Sequence, residues 1–443
     1  MKITNQLLAR FDTPETLLVV SPYPKKGETY SAGISGIASY TKNMIGSISR
    51  PIVVLAHYKN KPSFYIEDHV LVIRCFKLNT HQQWNQIYQQ VENFKQAQHL
   101  LIQFDFSLYG NIFNSTSIIP FLALIKRAGK KIHFTFHSVV DDIRNLAGHV
   151  GLSNSFTDKI KAKILNQSFK AFYLGIGLLS NQIIVLENPL KQRLSAFINK
   201  EKIATINHPV DTRLKKITKA QARKKLGITN KEQVVLSFGY INWFKGTDFF
   251  VKTFQNTKQL LNKPTRFIIA GGQSATLKNQ PYYQEYFTKT EYLAHQCPQI
   301  EITGYVPQEN IATYFAAADL VVFPYRYFMC ASGVLSLAFS YQKPFIISES
   351  LAPMMLAPDF KQAFRQVNLS ADDVFFDLNS SSLKKITTKV LENGIKKKMV
   401  KMTKLMSEKR DYARLSQVLE NKIFALTSRQ IAPIKRLLQY ARM

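Results

Sequence analysis

The sequence predicts an α/β protein of two doubly wound domains, each built on a parallel β-sheet with helices on both faces. The first reason is length, because 443 residues exceed what one hydrophobic core usually supports. The second is the regular alternation of short apolar runs with longer segments of helical period along most of the chain. The third is one interruption of that alternation, at the turn-rich residues 207–211. We therefore expect a first domain over residues 1–212 and a second over 213–425.

In the first half, seven short apolar runs predict β-strands, at residues 16–21, 51–57, 70–76, 100–104, 131–137, 182–186 and 202–206. Apolar residues at helical spacing predict helices between them, among others at residues 118–128 and 155–172. Strands that alternate with helices pair in parallel, because a parallel crossover needs a dozen residues or more. The first domain is therefore expected to be a layered α/β unit.

After the break the alternation restarts, with strands predicted at residues 234–239, 266–270, 300–303, 320–324 and 344–348. Helical patterns begin at Thr247, Thr288, Asn310 and Ser332, and the chain becomes helical and very basic after residue 380. Residues 426–443 are predicted to form a helix that packs back against the first domain. Two such domains in tandem bind a ligand between the carboxyl ends of their strands, so we expect the site in a central cleft.

The composition is that of a globular protein with a strong excess of positive charge. Hydrophobic residues make up 46% and charged residues 20%, which excludes a disordered chain. Lys and Arg number 59 against 29 Asp and Glu, a net charge of +30. Such an excess favours nucleic acid, anionic lipid headgroups or phosphate-bearing substrates as partners, with simple solubility as the alternative. No nucleic-acid-binding motif accompanies the charge, so nucleic acid is disfavoured.

Cysteine usage and the N-terminal sequence bear on location. Cys75, Cys297 and Cys330 are widely scattered without metal-ligand spacing, so neither a disulfide framework nor a metal site is predicted. The first twenty residues lack the features of a signal peptide, and no stretch approaches the ~20 apolar residues that span a bilayer. We expect a cytoplasmic protein that is either soluble or peripheral on the inner face of the cell membrane.

Two basic helical stretches, residues 159–170 and 396–410, carry apolar residues interleaved with lysines. They suit an anionic membrane surface, where each cation adds about 1 kcal/mol of binding free energy. A solvated helix face explains the same pattern. The sequence therefore allows a membrane partner without requiring one.

Three motifs carry chemistry. The first is the loop at residues 31–38, where Gly33 and Gly36 follow a predicted strand and open a helix. Glycines there let backbone N–H groups approach an anion or a sugar, although a plain tight turn has the same pattern. The second, at residues 238–246, places Lys245 between a strand and a helix, where its ammonium can neutralise a diphosphate. A surface lysine beside Gly246 is the alternative.

The third motif is the longest, with parts at residues 304–306, 317–326, 332–339 and 343–344. Ser332 and Gly333 begin a helix just after a predicted strand, and Arg326 lies in the loop between them. Exposed N–H groups, the helix dipole and a guanidinium together can bind a phosphate. Ser332 is also a good N-cap, which accounts for it without a ligand.

The order and spacing of these motifs resemble the C-terminal domain of retaining GT-B glycosyltransferases of the family 4 type (glycosyl transferases group 1). The resemblance is carried by Gly-x5-Lys-Gly from Gly239, Ala-Gly-Gly from Ala270, Gly-Tyr-Val from Gly304, Ala-Asp-Leu-Val-Val-Phe-Pro-Tyr-Arg from Ala318, and Ser-Gly-Val-Leu-x-Leu-Ala from Ser332. Upstream, the loop with Gly33 and Gly36, the strand that ends in His137 and residues 207–211 are similar too.

The resemblance implies two Rossmann-like domains that face a central cleft. It also implies transfer of a hexose-type sugar, with retention and without a metal or cofactor, from a UDP- or GDP-sugar to a lipid-linked or polysaccharide acceptor of the cell envelope. Lys245 would contact the donor phosphates and His137 the transferred sugar, although His137 is equally an ordinary strand-end histidine. The implied donor-binding residues are Gly33, Gly36, Gly239, Tyr240, Gly272, Tyr305, Val306, Ser332, Gly333 and Val334.

The chain also departs from the family pattern. Tyr240 stands where many members carry an arginine, and Met329 and Leu337 stand where they carry two glutamates. This matches a branch that lacks those glutamates, in which we predict that Arg326 supplies the missing cation as a catalytic residue. A second hypothesis from the same departures is a catalytically degenerate subunit that binds glycan or a partner transferase.

Overall fold

The computed structural model describes residues 4–30, 35–110 and 112–425, and it contains two α/β units. The first unit has an eight-stranded sheet of β1 (Leu17–Val20), β2 (Ile52–His57), β3 (Ser63–Glu67), β4 (Val70–Phe76), β5 (His99–Phe104), β6 (Lys131–Phe136), β7 (Gln182–Val185) and β8 (Ile203–Thr205). The strand order is β3-β4-β2-β1-β5-β6-β7-β8, and every pair is parallel except β3 with β4.

Helices cover the first sheet. They are α1 (Asn5–Phe11), α2 (Gly36–Ile45), α3 (Gln83–Val91), α4 (Ile112–Thr116), α5 (Ile118–Arg127), α6 (Ala147–Val150), α7 (Phe156–Leu179) and α8 (Asn188–Leu194). The central strands are buried along their whole length, which is why they read as continuous apolar runs in the sequence.

The second unit repeats the architecture. Its strands are β9 (Gln233–Phe238), β10 (Gln259–Leu260), β11 (Lys263–Ala270), β12 (Ile300–Ile302), β13 (Leu320–Phe323), β14 (Phe345–Ser348) and β15 (Phe375–Phe376). Their order is β10-β11-β9-β13-β14-β15, with β12 beside β11. The helices are α9 (Lys219–Lys225), α10 (Thr247–Phe254), α11 (Pro281–His295), α12 (Gln308–Ala317), α13 (Gly333–Ser340), α14 (Pro358–Val367), α15 (Ser380–Leu391) and α16 (Asn393–Lys409).

All twelve strands predicted from apolar runs are present, to within three residues at each end. Three further strands, β3, β10 and β15, were not predicted. They are short, and β3 is an exposed edge strand whose burial does not alternate. The predicted start of a helix at Thr288 is wrong, because α11 begins at Pro281, where proline occupies the first helical turn.

The last described helix, α17 (residues 412–425), corrects the predicted division of the chain. Residues up to 425 were assigned to the second domain, whereas α17 packs on the first unit. Leu415, Leu419 and Ile423 join the same apolar cluster as Tyr40 and Met44. The physical reason is that α2 and the first sheet present an apolar face, and α17 packs on it. Residues 426–443, predicted to form this returning helix, lie outside the described ranges.

A buried ion cluster joins the two units where the chain crosses back. The Arg410 guanidinium donates to the Glu187 carboxylate of the first unit at 2.5 Å and to the Asp359 carboxylate of the second at 2.7 Å. Arg410 and Glu187 are fully buried. The Val210 N–H donates to the Arg410 carbonyl oxygen at 2.7 Å, so both interdomain crossings meet at this point. No described helix is long and apolar enough to cross a membrane.

Candidate functional site

The strand order locates the crevice of each sheet. In the first sheet, β1 lies between β2 and β5, so the strand order reverses direction there. In the second sheet, β9 lies between β11 and β13 in the same way. Crevices of open α/β sheets lie at the carboxyl ends of strands at such switch points. A cleft of about 530 Å³ lies there, between the two units. It is lined from both sides, among others by Gly36, Tyr40, Asp105, His137, His208, Tyr240, Cys330, Gly333, Ser336 and Leu337.

The second unit contributes a backbone floor without side chains. Gly239 follows β9 with a φ of 109°, a conformation that favours glycine. A Cβ added at Gly271 would lie 2.0 Å from the Gly239 carbonyl oxygen, and one at Gly272 would lie 2.8 Å from the Tyr305 nitrogen. The three glycines therefore bring backbone segments into direct contact, and only the smallest residue fits.

Lys245 lies directly on this floor. It ends a short 3₁₀ turn (Trp243–Lys245) before α10, and its Nζ is 2.8 Å from the point where a Gly239 Cβ would be. Burial lowers the pKa of Lys245 to about 8. Among residues 4–30, 35–110 and 112–425, no acceptor or carboxylate bonds its ammonium. A largely buried cation without a counter-charge favours an anionic ligand.

The N-terminus of α13 points at the same place. The Ser332 Oγ accepts from the Leu335 N–H at 3.2 Å, which makes Ser332 the N-cap. The N–H groups of Gly333 and Val334 have no acceptor within the described part of the chain, as the first turn of a helix leaves them. A Val334 methyl carbon lies 3.2 Å from the position of a Gly239 Cβ, so this helix end and Lys245 meet at one spot.

Two histidines line the first unit's side of the cleft. The His137 Nε2 is 2.8 Å from Gln103 Oε1, and burial lowers the pKa of His137 to about 3. The amide oxygen therefore accepts the ring proton, and Nδ1 remains as an acceptor. His208 contacts α13, since its Nδ1 is 2.8 Å from the Ser336 Oγ. Burial lowers its pKa to about 4, so both rings are neutral at pH 7.

Aromatic and carboxylate groups complete the surroundings. The rings of Tyr240 and Tyr305 are exposed and stack at a centroid distance of 6.4 Å and an interplanar angle of 24°. Val306 beside them is buried. On the opposite side Asp105 accepts from the Ser138 hydroxyl at 2.7 Å. The cleft thus has a flat aromatic rim at one end and a polar wall at the other.

The structure places Arg326, predicted as a free catalytic cation, in an ion pair beside the turn that carries Lys245. Its guanidinium donates two hydrogen bonds to the Asp248 carboxylate, at 2.7 and 2.8 Å, and a third to the Trp243 carbonyl oxygen. Burial raises the pKa of Asp248, but the guanidinium outweighs it and holds that pKa below its usual value. Arg326 therefore holds the turn that carries Lys245, and its catalytic role stays a prediction.

Residues 325–331 connect the two units beside the cleft. The Tyr327 hydroxyl donates to Asp141 at 2.5 Å, and the Arg193 guanidinium donates to the Phe328 carbonyl oxygen and lies over the Tyr327 ring. The Val139 N–H donates to the Met329 carbonyl oxygen at 3.4 Å. Asp141 is thus an interdomain contact.

Several cleft residues were not predicted. Gln103 and Asp105 lie at the carboxyl end of a correctly predicted strand, and that position was the available signal. His208 was noted only as part of a turn, since its contact with Ser336 joins residues 128 apart in the chain. Gly33 lies outside the described residues. Within the described ranges, no group of three His, Cys, Asp or Glu side chains is arranged to hold a metal ion.

Comparisons with known proteins agree with this geometry. Residues 232–364 match the family model described as glycosyl transferases group 1. Similar solved structures include sucrose-phosphate synthase from Thermosynechococcus elongatus (13% identity, TM-score 0.64, 96% of this chain and 100% of that one). HepE from Anabaena in complex with UDP-glucose is 15% identical (TM-score 0.64, covering 93% and 99%). WaaG, a glycosyltransferase involved in lipopolysaccharide biosynthesis, is 12% identical (TM-score 0.59, covering 92% and 99%).

A comparison with curated protein sequences finds no match. At these identities the likeness to solved structures shows the fold, so the predicted GT-B architecture is confirmed. The predicted glycosyl transferases group 1 domain is confirmed over residues 232–364.

Proposed function

We propose that this chain is a glycosyltransferase that moves a hexose-type sugar from a UDP- or GDP-sugar to a lipid-linked or polysaccharide acceptor in cell-envelope glycan synthesis. In this proposal the anomeric configuration is retained, and neither a metal nor a cofactor takes part. The matching domain over residues 232–364 and the GT-B fold support the class of reaction. The contents of the cleft support the rest.

The observation that carries the proposal is the meeting of Lys245 and the α13 N-terminus at Gly239. A buried ammonium without a counter-charge and the free N–H groups of Gly333 and Val334 converge on a floor that has no side chain. A diphosphate leaving group gains negative charge as the glycosidic bond breaks. Preorganised donors and a cation in a dry site stabilise that charge strongly. We assign them the role that a divalent metal takes in other phosphate sites.

The nucleoside fits at the aromatic rim. Tyr240 and Tyr305 present flat faces, and the close contact of Gly272 with the Tyr305 backbone leaves amide groups beside them. We place the base there, with the ribose toward Gly239. In the HepE structure the ligand is UDP-glucose. A UDP-sugar is therefore the first donor to test.

The transferred sugar falls between the two units, facing His137 and the start of α2 at Gly36. The neutral His137 can accept a hydrogen bond from a sugar hydroxyl through Nδ1. His208 holds α13 in place through Ser336 and so aligns the phosphate-binding end. The acceptor would enter from the side of Asp105. We propose that the protein works in the cytoplasm at an anionic membrane surface, where lipid-linked acceptors are found.

Thermal unfolding tests the donor site. The full chain is measured with UDP, GDP, ADP and CMP, each in metal-free buffer with a chelator. A ligand at a hundred times its dissociation constant adds about 2.7 kcal/mol to the free energy of unfolding, a clear shift. We expect a shift with UDP or GDP that is lost in Lys245→Met and kept in the control Lys263→Met. Lys263 is exposed on β11. No shift with any nucleotide would contradict the proposal.

A transfer assay separates the enzyme from the degenerate subunit. Leu337 lines the cleft where related enzymes carry a glutamate, and this favours the subunit as a second candidate. The chain is incubated with UDP-glucose and a lipid-linked acceptor mixture, and NMR gives the anomeric configuration of any product. A product with the donor's configuration supports the enzyme. Nucleotide binding without hydrolysis or transfer for any donor supports the subunit.

A further inference from the structure

Helix α7 has an apolar stripe on the side that faces away from the core. Its core-facing side is made by Phe169, Phe172, Tyr173 and Ile176. On the outside, Phe156 is 77% exposed, Ile164 is 61% exposed and Leu178 is 71% exposed. A soluble helix normally places polar residues there. An apolar run on the outer side of a helix that already has a buried side therefore requires an explanation.

The stripe runs along the helix and is interrupted once, by the exposed Gln167 in the same sector. At 100° per residue, its members lie within a sector of about 80°, and the first and last are about 33 Å apart along the axis. The members are Phe156, Ile160, Ile164, Leu174 and Leu178, all exposed. Exposed Leu124 lies on α5, the helix packed beside α7. The result is a long, narrow apolar surface instead of a single stray side chain.

Cations border the stripe on one side. Lys159, Lys163 and Lys170 share the adjoining sector of about 40°. Within the described residues none of them has a carboxylate within 4 Å, whereas Lys161, on the opposite border, pairs with Asp158. Lys159 and Lys163 line a groove of about 300 Å³ together with Arg144, Asn166 and Gln167, and no acidic side chain lines it. Arg144 itself pairs with Asp142.

We propose that α7 is the membrane-docking surface of this protein and lies flat on an anionic bilayer. The apolar stripe enters the acyl boundary, and the groove formed by Arg144, Lys159 and Lys163 receives lipid phosphates. Apolar side chains bordered by unpaired cations are the pattern that such a surface selects. A second copy of the chain fits poorly, because pairing two stripes would bring the lysines of both copies together.

The position of α7 connects this surface with the cleft. Asn166, in the middle of α7, accepts from the Ile143 N–H and donates to Asp142, both at 2.9 Å. The segment with Asp142 and Ile143 follows β6. His137, the residue directly after β6, lines the cleft. Docking through α7 would therefore hold the cleft near the lipid surface. This deepens the membrane part of the proposed function, but lipid binding is measured without any transfer reaction.

The first test is sedimentation of the full chain with vesicles of phosphatidylcholine alone or with 30% phosphatidylglycerol. We expect binding to the anionic vesicles, reduced at least about tenfold in Ile160→Ser/Ile164→Ser and in Lys159→Glu/Lys163→Glu. The matched controls are Tyr292→Ser, at a site 64% exposed on α11, and Lys401→Glu/Lys404→Glu on α16. Both controls should bind like the unchanged chain. The UDP-induced thermal shift reports folding and the donor site independently.

A second test measures directly how deeply α7 inserts into the bilayer. In Phe156→Trp the indole should be quenched by brominated lipids in anionic vesicles, whereas Tyr292→Trp should not be. Absence of vesicle binding, binding that survives both α7 changes, or loss only in the α16 control would each overturn the proposal. Dissociation of a solution oligomer by Ile160→Ser/Ile164→Ser would overturn it too, because the stripe would then belong to a second copy. None of these results depends on whether the chain transfers sugar.

Discussion

At the scale of single residues, the cleft depends on the charge of one amine. Lys245 is partly buried and has no partner among the described residues, and burial lowers its pKa to about 8. A diphosphate would supply the missing counter-charge and return that pKa toward its ordinary value. Ligand affinity and protonation of Lys245 are therefore linked.

This linkage predicts how UDP binding changes with pH. Because the anion binds the protonated amine, affinity is full only well below pH 8 and falls as the pH rises through that value. Between pH 7 and 8.5 the protonated fraction of a group with a pKa of 8 falls about fourfold, and UDP affinity should follow it. His137 and His208 stay neutral over this range. Isothermal titration calorimetry measures the effect.

Lys245→Met is the control for this prediction. Its UDP affinity should be weaker and independent of pH between 7 and 8.5. An equal pH dependence in the variant and in the unchanged chain would show that another group is responsible.

At this scale sequence reasoning found residues whose partners are near in the chain, and missed those whose partners are far. Gly239 and Lys245 lie within one strand–turn–helix unit, so their nearness follows from spacing. The ion pair of Arg326 was not predicted, because its partner Asp248 is 78 residues away and nothing in the sequence marks the pair. His208 escaped for the same reason, since its partner lies in the other unit.

At the scale of elements, α10 and the loop after β13 support each other through Arg326 and Asp248. The guanidinium reaches across to the first turn of α10 and to the carbonyl oxygen of Trp243, which begins the turn carrying Lys245. The Trp243 ring covers the guanidinium at 5.1 Å. This arrangement positions Lys245 without touching the ligand.

A double-mutant cycle tests that role. Arg326→Met alone should lower the free energy of unfolding by up to about 3–5 kcal/mol, because the largely buried Asp248 carboxylate then keeps only the half-exposed Lys252, at 3.8 Å, as a cation. Arg326→Met/Asp248→Leu should regain most of that loss and most of the UDP affinity. Chemical denaturation and calorimetry provide the two measurements. A double variant that is stable but binds no UDP would instead return Arg326 to the ligand site.

Elements were predicted well where burial is complete and poorly where it is not. The buried strands β1, β5 and β9 read as continuous apolar runs, and their ends were placed to within a residue or two. Edge strands such as β3 and two-residue strands such as β10 carry no comparable pattern, because half or more of their side chains meet solvent. Their pairing depends on neighbours that the local sequence does not show.

At the scale of the whole molecule, the two units are joined by charge as well as by the chain. Arg410 serves carboxylates of both units, Glu187 of the first and Asp359 of the second. Burial raises the pKa of Glu187, and Arg410 only partly offsets that effect. Such a cluster stabilises one relative placement of the units, because separating them would leave buried charges unpaired.

Removing this cation should uncouple the units. Arg410→Met is expected to cost about 3–5 kcal/mol of stability and to split one thermal transition into two, since each unit has its own β-sheet. Arg414→Met, at an exposed site on α17, should leave a single transition. Differential scanning calorimetry distinguishes the two. A single transition shifted downward without broadening in Arg410→Met would mean that the units are coupled mainly by other contacts.

The domain plan was predictable only in part. The break at residues 207–211 lies between the two sheets, and we keep residue 212 as the proposed boundary. The return of the chain to the first unit was expected after residue 425, whereas α17 makes it from residue 412. The basic run through α16 continues into α17 without a turn signal that marks the change of unit. Which apolar face α17 covers depends on the assembled fold.

The returning helix also sets an order of events during synthesis. The sheet of the first unit emerges from the ribosome early, whereas α17 emerges after the whole second unit. In the folded protein α17 packs on α2, where the Ser416 hydroxyl donates to the Met44 carbonyl oxygen. Until α17 has emerged, the apolar face around Tyr40 and Met44 has no cover from it. We therefore expect a chaperone to bind the nascent first unit during this interval. Translation of the remaining residues, about 200, takes roughly 10–40 s at 5–20 residues per second.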